Sequence, residues 1–302
     1  MEPKSYSQVL AAGATEVGND LFDRGEYAAA VAAHRKATSL WPESEEIWYN
    51  LARTLREVGD FDEALVAITR AVTLNAEDPY ILRALGNIYR SRKDFPNAVL
   101  AFQRALAVDP EFPAFNSLGL TYMDLNAPGY ARNVFQKGLR FQPDDPDLHD
   151  NLGRVFDELG DPVLAAHHYH QAATLNPDQS YIWSLLAGAL RGCKKYQEAI
   201  TAMREAIRRE PNDALNYQDL GNIYREMGRH KEAAQAFQEA SQRDPKLIGP
   251  VVQLALSYLE LGDPARAQAI LENRMESAEA EEREELSYYR DVVLEGRNTH
   301  LT

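Results

Sequence analysis

The sequence predicts an all-α solenoid of stacked helical hairpins, and three observations carry that prediction. The hexapeptide LGNIYR occurs twice, at residues 85–90 and 220–225. The chain aligns with itself at a 34-residue period, in copies starting near 11, 45, 79, 112, 146, 180, 214 and 248, the third being one residue short. Position 20 of every copy is alanine: Ala30, Ala64, Ala98, Ala131, Ala165, Ala199, Ala233 and Ala267. A period of about 20–50 residues marks a unit that cannot bury its apolar face alone and must stack on its neighbours. The two hexapeptides are then one site of that unit, in copies three and seven.

Each copy reads as two amphipathic helices, A and B, with apolar residues at three- and four-residue spacing. Position 8 is small throughout (Gly18, Ala52, Gly86, Gly119, Gly153, Ala187, Gly221, Ala255). Position 27 is small too, from Ala37 to Ala240 with Gly138 in copy four, until Arg274 breaks it. Small side chains at fixed places let A and B approach closely. Larger knobs fill the remaining space, with leucine at position 7 from Leu51 to Leu254 and Phe102, Phe135, Tyr169 and Phe237 at position 24. Helix ends are marked as well. Pro128, Pro162 and Pro264 stand where helix B starts, a place at which a missing N–H costs nothing. Gly25, Gly59, Gly160, Gly228 and Gly262 precede helix B, where a tight turn needs a permissive backbone. Position 32 is proline in six copies, Pro42 to Pro245, which stops helix B.

The chain has 302 residues, 45% hydrophobic and 26% charged, and a formal net charge of −14. The composition is that of a folded protein. The negative charge argues against nucleic acid and anionic membrane surfaces as partners, because IRRE and RGCKK are too short to form a basic tract. No run approaches the ~18 apolar residues that span a bilayer. The N-terminus lacks the basic start and long apolar core of a signal peptide, and the single cysteine, Cys193, fits a reducing compartment, so the expectation is a soluble cytoplasmic protein.

The stretches IWYNLARTL and FDEALVAITRAV, with Trp48, Leu51, Ala52, Leu55, Phe61, Ala64 and Ala71, resemble the tetratricopeptide repeat family over residues 11 to 274. Departures are few: Ala76 replaces the proline of copy two, Lys194 stands where glycine is usual, and Arg274 closes the series. The resemblance implies a right-handed superhelix of eight repeats. Residues 1–10 read as an N-terminal segment, 275–296 as a capping helix with Leu286, Tyr289 and Val293 on one face, and 297–302 as a tail. The alternative for 275–296 is a charged helix awaiting a partner.

In the resembled family helix A lines the concave wall, with positions 2, 5, 9 and 12 facing the groove. Positions 5, 9 and 12 form one helical stripe. Here that stripe carries Tyr49, Arg53 and Arg56, then Arg83, Asn87 and Arg90 with Tyr80, then Asn116, Met123 and Arg154, then Tyr181, Arg191, Asn222 and Arg225. Asn50 and Asn151 occupy position 6. Arginine forks onto carboxylates, asparagine bonds a peptide backbone twice, and tyrosine supplies apolar area with a polar tip. The expected ligand is an extended protein segment, acidic or mixed in charge, because Asp124, Asp147, Asp150, Asp157 and Glu158 follow the arginines. The competing account is a solvated face, with the arginines paired to Glu46, Glu57 and Glu226. Family repeats that clamp the C-terminal carboxylates of heat-shock chaperones use cations at three positions where this chain has Thr15, Tyr80 and Ala84, so that ligand is not expected. The unbroken position-6 asparagine ladder of the sugar transferase acting on serine and threonine is missing too.

Catalytic signals are weak, so the expectation is a non-catalytic scaffold without cofactor. His167, His168 and His170 share helix B of copy five, and a metal there would need ligands from elsewhere. Cys193 beside Lys194 and Lys195 lacks a histidine or aspartate at motif spacing. AAGATEVG lacks the lysine and preceding strand of a phosphate loop. Two other classes stay open: a self-associating scaffold whose groove takes its own terminus, and a metal-dependent enzyme at the histidine cluster.

Overall fold

The computed structural model describes residues 5–111 and 113–299. Among them are seventeen α-helices and no strand. The A helices are α1 (Tyr6–Asp23), α3 (Glu45–Val58), α5 (Pro79–Ser91), α7 (Phe115–Asp124), α9 (Pro146–Glu158), α11 (Ser180–Gly192), α13 (Ala214–Glu226) and α15 (Ile248–Glu260). The B helices are α2 (Tyr27–Leu40), α4 (Phe61–Leu74), α6 (Phe95–Val108), α8 (Pro128–Phe141), α10 (Pro162–Leu175), α12 (Tyr196–Arg209), α14 (His230–Arg243) and α16 (Pro264–Ser277), and α17 (Ala280–Thr299) follows.

Two compact units divide the chain, Met1–Val155 and Phe156–Thr302. Each is a helical solenoid in which every hairpin packs on the next. Within the first unit α1 touches α3 and α3 touches α5; within the second α11 touches α13. No B helix among the described elements makes a comparable contact with the following B helix. The A helices therefore lie on the inner, more tightly curved side of each unit.

The close approach of A on B rests on small residues. All eight position-20 alanines have no exposed surface. Position 8 is matched in size to position 24. A Cβ added to Gly86 would lie 2.6 Å from the Phe102 ring, and one on Gly221 would lie 2.6 Å from Phe237. Gly119 faces Phe135 in the same way. Where position 8 is alanine, at Ala52, Ala187 and Ala255, position 24 is the slimmer Ile68, Met203 or Leu271, and all three are buried. A methyl group and a ring are alternative fillings of one space.

Four junctions between successive repeats are bonded through the carbonyl of the position-32 proline. Indole Nε1–H of Trp48 donates to Pro42 O and that of Trp183 to Pro177 O, each at 2.9 Å. The His149 ring lies 3.1 Å from Pro143 O, and Arg243 Nε–H donates to Pro211 O at 2.8 Å. Proline ends the helix and leaves this carbonyl for the next repeat to bond.

The turn between A and B has one backbone form in all eight copies. Gly25, Gly59, Gly160, Gly228 and Gly262 have positive φ, and so do Lys93 (62°), Asn126 (54°) and Lys194 (58°). The next residue donates its N–H back to helix A, as Asp60 does to Leu55 O at 3.0 Å and Lys195 to Leu190 O at 2.9 Å. That bond requires the left-handed residue whatever its side chain. The missing glycine of copy six thus changes the cost of the turn and not its shape.

The ends differ from the expected boundaries. Ser5 and Gln8 form a capping box, so α1 begins at Tyr6 and takes up half of the segment expected before residue 11. Residues 1–4, residue 112, where copy four was expected to begin, and residues 300–302 of the tail lie outside the described residues. At the other end residues 275–277 belong to α16, and the last helix starts at Ala280. Leu286 of α17 is fully buried in a cluster with Val252, Ala255, Ala267 and Leu271, and Tyr289 packs against it. Arg274, in place of a small residue, reaches Glu282 of α17 at 2.9 Å. The Val293 side chain lies outside the described residues.

His34 occupies position 24 of the first copy, 1% exposed, where a Cβ on Gly18 would meet its ring at 2.5 Å. Its Nδ1 has no hydrogen-bond partner among the described residues. Burial, then the Arg53 charge, lowers its pKa from 6.5 to about 4. The folded chain therefore holds His34 neutral while the unfolded chain protonates it below pH 6.5.

Three outcomes are expected. Gly221→Ala lowers stability by about 1–3 kcal/mol through overpacking on Phe237, and adding Phe237→Leu recovers part of the loss, read as the coupling in a double-mutant cycle by denaturant titration. Lys194→Gly raises the denaturant midpoint, by about 1 kcal/mol of relieved backbone strain. Stability falls as pH drops from 6.5 to 4, by at most about 3 kcal/mol from this site, and His34→Phe removes that part of the slope in urea melts across pH.

Candidate functional site: the inner walls of the two units

In the first unit the expected stripe runs along α1, α3, α5, α7 and α9. The Arg53 guanidinium lies 4.8 Å from the Phe22 ring centre and 5.6 Å from that of Tyr49. Arg83 lies 5.8 Å from the Tyr80 ring, which is 56% exposed. Cation–π contacts at such sites are worth about 0.5–1 kcal/mol and hold the long side chains against the wall. Arg56 is paired with Glu57. Arg90 Nε–H donates to Asp124 at 2.6 Å, from α5 to α7. Asn151 donates its amide N–H to the Asn116 side-chain oxygen at 2.7 Å. Asn87 and Met123 are half-buried, and Arg154 pairs with Asp150 at 3.3 Å. Asn50 and Asn151, at position 6, are buried and lie between the helices instead of on the open wall.

In the second unit Tyr181 is 44% exposed. Arg191 pairs with Glu226 at 3.4 Å, and Arg225 donates to the Gln253 side-chain oxygen. Asn222 is half-buried and hydrogen-bonds Asp219, whose carboxyl is pushed up by burial while Arg191 pulls it down. Two of the ion pairs that a solvated face requires, Arg56–Glu57 and Arg191–Glu226, are thus present. Their members are about one-third exposed (30% and 32%, 37% and 38%), so each pair contributes ~0–1 kcal/mol.

The acidic stretch divides between the units. In the first, the Asp147 carboxyl is pushed up by burial and then by Asp145 and Asp150. In the second, burial raises Asp157, offset by the Tyr169 hydroxyl that donates to it at 2.8 Å. Lys93, Asp219 and Gln253 also belong to these walls and are absent from the stripe read from the sequence. The one signal for Lys93 was its place among the glycines of the hairpin turn. Asp219 and Gln253 sit at position 6, which the stripe does not include.

The histidine cluster lies elsewhere, against α11 and α12. His168 stacks on Phe156 with ring centres 5.5 Å apart, and His167 meets His168 edge-on at 5.1 Å. His167 and His170 line a cleft of about 510 Å³ with Trp183, Cys193 and Lys195. Among the described residues no three histidine, cysteine, aspartate or glutamate side chains converge as metal ligands. No described helix is long and apolar enough to cross a membrane.

Models described as tetratricopeptide repeat match residues 21–88 and 224–283, 178–246, and 79–112. The chain belongs to the tetratricopeptide repeat family. Among solved structures it is similar to the C-terminal part of a tetratricopeptide repeat protein from Cytophaga hutchinsonii, at 19% identity and TM-score 0.66, over 80% of this chain and 99% of that one. It is also similar to YrrB, described as a tetratricopeptide repeat protein with an unusual peptide-binding site, at 22% identity and TM-score 0.56, over 61% and 96%. These likenesses show the fold. A curated relative, Superkiller protein 3 of Schizosaccharomyces pombe, is 28% identical over 93 residues, 30% of this chain. The match spans 7% of that relative's length. Tetratricopeptide repeats are in general interaction modules.

Proposed function

We propose that this tetratricopeptide repeat protein is a non-catalytic, cytoplasmic scaffold that holds an extended, acidic or mixed-charge segment of a partner protein along its A helices. The observation that carries this reading is the set of arginines held on aromatic rings of the inner wall, Arg53 on Phe22 and Tyr49 and Arg83 on Tyr80, in a chain of net charge −14. A wall ordered before binding avoids most of the entropic cost on its own side. The arginines supply carboxylate recognition, and the amides and rings supply backbone bonding and contact area.

A second reading, self-association, has one observation behind it. Tyr6, Val9, Leu10 and Val17 of α1 are 80%, 55%, 43% and 53% exposed and lie at helical spacing. They form an apolar stripe that a second copy would cover. Residues 6–10 are helical, so they do not enter the groove as an extended segment. Light scattering over a concentration series separates the two readings: mass rising with concentration supports self-association.

The scaffold reading is tested by selecting random dodecapeptides displayed on phage against the immobilised protein. Enrichment of aspartate and glutamate is expected. The enriched peptides are expected to bind the Arg53→Glu, Arg83→Glu double variant at least tenfold more weakly, with the circular dichroism spectrum unchanged. Unbiased selection, or equal binding to the double variant, would overturn it.

A further inference from the structure

α1 presents a face that every later A helix has covered. Val17 stands at position 7, where the other seven repeats carry a leucine that is buried in each. In the second repeat that leucine, Leu51, shares a buried cluster with Val31 of the preceding B helix. Val17 is 53% exposed and continues the apolar stripe of Tyr6, Val9 and Leu10. A Cβ added to Gly13, midway along the stripe, would meet nothing within 4 Å. The stripe is edged by acid. Glu16 and Asp20 are exposed, one turn apart, and have no ion-pair partner among the described residues. α1 contains no lysine or arginine.

A surface of matching character lies on the outer side of the same unit. α6 and α8 flank a cleft of about 390 Å³ with α7 as its floor, and its lining includes Leu106, Phe115, Tyr122, Tyr130, Val134 and Lys137. Tyr122 and Tyr130 stack with ring centres 5.4 Å apart, and Tyr130 is 66% exposed. Gln103 donates to the Tyr122 hydroxyl at 3.2 Å, so this ring is held with its polar tip satisfied. α8 carries Arg132, Lys137 and Arg140 and no carboxylate, in a chain of net charge −14. Lys137 lies 6.0 Å from the Phe115 ring centre, and Arg140 follows one turn on. Both are exposed, and neither has an ion-pair partner among the described residues. The cleft of the second unit differs in charge: Lys195 there already pairs with Glu198 at 3.6 Å.

We propose that the cleft between α6 and α8 receives α1 of a second copy of this chain. The apolar stripe enters between the two B helices, and Glu16 and Asp20 meet Lys137 and Arg140. Tyr6 to Val17 spans about 16 Å and α8 about 21 Å at 1.5 Å rise per residue, so the stripe fits within the length of the cleft wall. Charge sets the direction. With Glu16 and Asp20 beside the last turns of α8, Tyr6 falls toward Tyr130 and α1 runs parallel to α8. A second α1 is the poorer occupant of the stripe, because it offers acid against acid and no cation. The contact is heterologous: each copy gives one α1 and one cleft, and neither patch faces itself. The proposal rests on the self-association reading and names the surface that receives α1. The A-helix stripe of the scaffold reading takes no part in it.

Sedimentation velocity of the full-length protein over a concentration series tests this. The α1 variant is Leu10→Gln with Val17→Gln, and the cleft variant is Tyr130→Ala with Lys137→Gln. All four side chains are exposed, so circular dichroism spectra and denaturant midpoints are expected to stay close to those of the wild type. The wild-type mass is expected to rise with concentration, and each variant to need at least tenfold more protein for the same rise. An equimolar mixture of the two variants is expected to form a complex of two chains at wild-type concentrations, since one variant keeps an intact α1 and the other an intact cleft. Association of the cleft variant as tight as that of the wild type would overturn the proposal, and so would a mixture that stays monomeric. If only the α1 variant fails to associate, α1 meets another surface: self-association stands and the cleft is lost. Wild-type protein that stays monomeric throughout would remove self-association and the proposal together.

Discussion

Everything in this chain depends on how near helix A comes to helix B. That distance is set by side chains almost too small to notice: an alanine without exposed surface at position 20 of each repeat, and glycine or alanine at position 8. Once the backbones are close, a single space remains between them. It is filled by a ring opposite glycine or by an aliphatic chain opposite alanine. With the hairpin closed in this way, α1 touches α3, α3 touches α5 and α11 touches α13, and no successive B helices among the described elements make a comparable contact. Every residue proposed to meet a partner stands on a wall that this packing builds.

Electrostatics enters as a second layer on that wall. Isolated surface ion pairs contribute little to stability, and Arg56–Glu57, Arg90–Asp124 and Arg191–Glu226 are of that kind. Their interest is that they order long side chains at little cost. The same applies to the arginines lying on rings, where the guanidinium itself sits over the aromatic face. His34 shows the opposite case. It replaces a ring with one that can be charged in a buried place, and so makes acid pH a stress on the first repeat.

Much of this was legible in the residues. The period, the constant alanine and the recurrent proline are consequences of steric rules that act within one repeat, so a single sequence displays them. Three kinds of feature were not legible. The positive φ of Lys93 and Asn126 is imposed by the hydrogen bond that closes the turn, which overrides the preference of the residue found there. The partners of Arg90 and Arg225 lie one repeat further on, and which acceptor each finds depends on the rotation of the next A helix. The burial of Asn50 and Asn151 follows from contact between A helices, which periodicity within one helix does not report. The start of α1 was missed for a simpler reason: the capping box of Ser5 and Gln8 lies outside the repeat pattern that set the boundary.

The proline carbonyl that accepts an indole or imidazole from the following hairpin has an implication for how such a chain can change its length. Three junctions carry a bond between the proline that ends one module and the fourth residue of the next. Excising or duplicating a whole module at such a junction, cut at equivalent points, presents the same acceptor to the same class of donor on both sides of the seam. The architecture thus tolerates edits in multiples of its own unit and resists any other step, since a shift of even a few residues would aim the donor at empty helix surface.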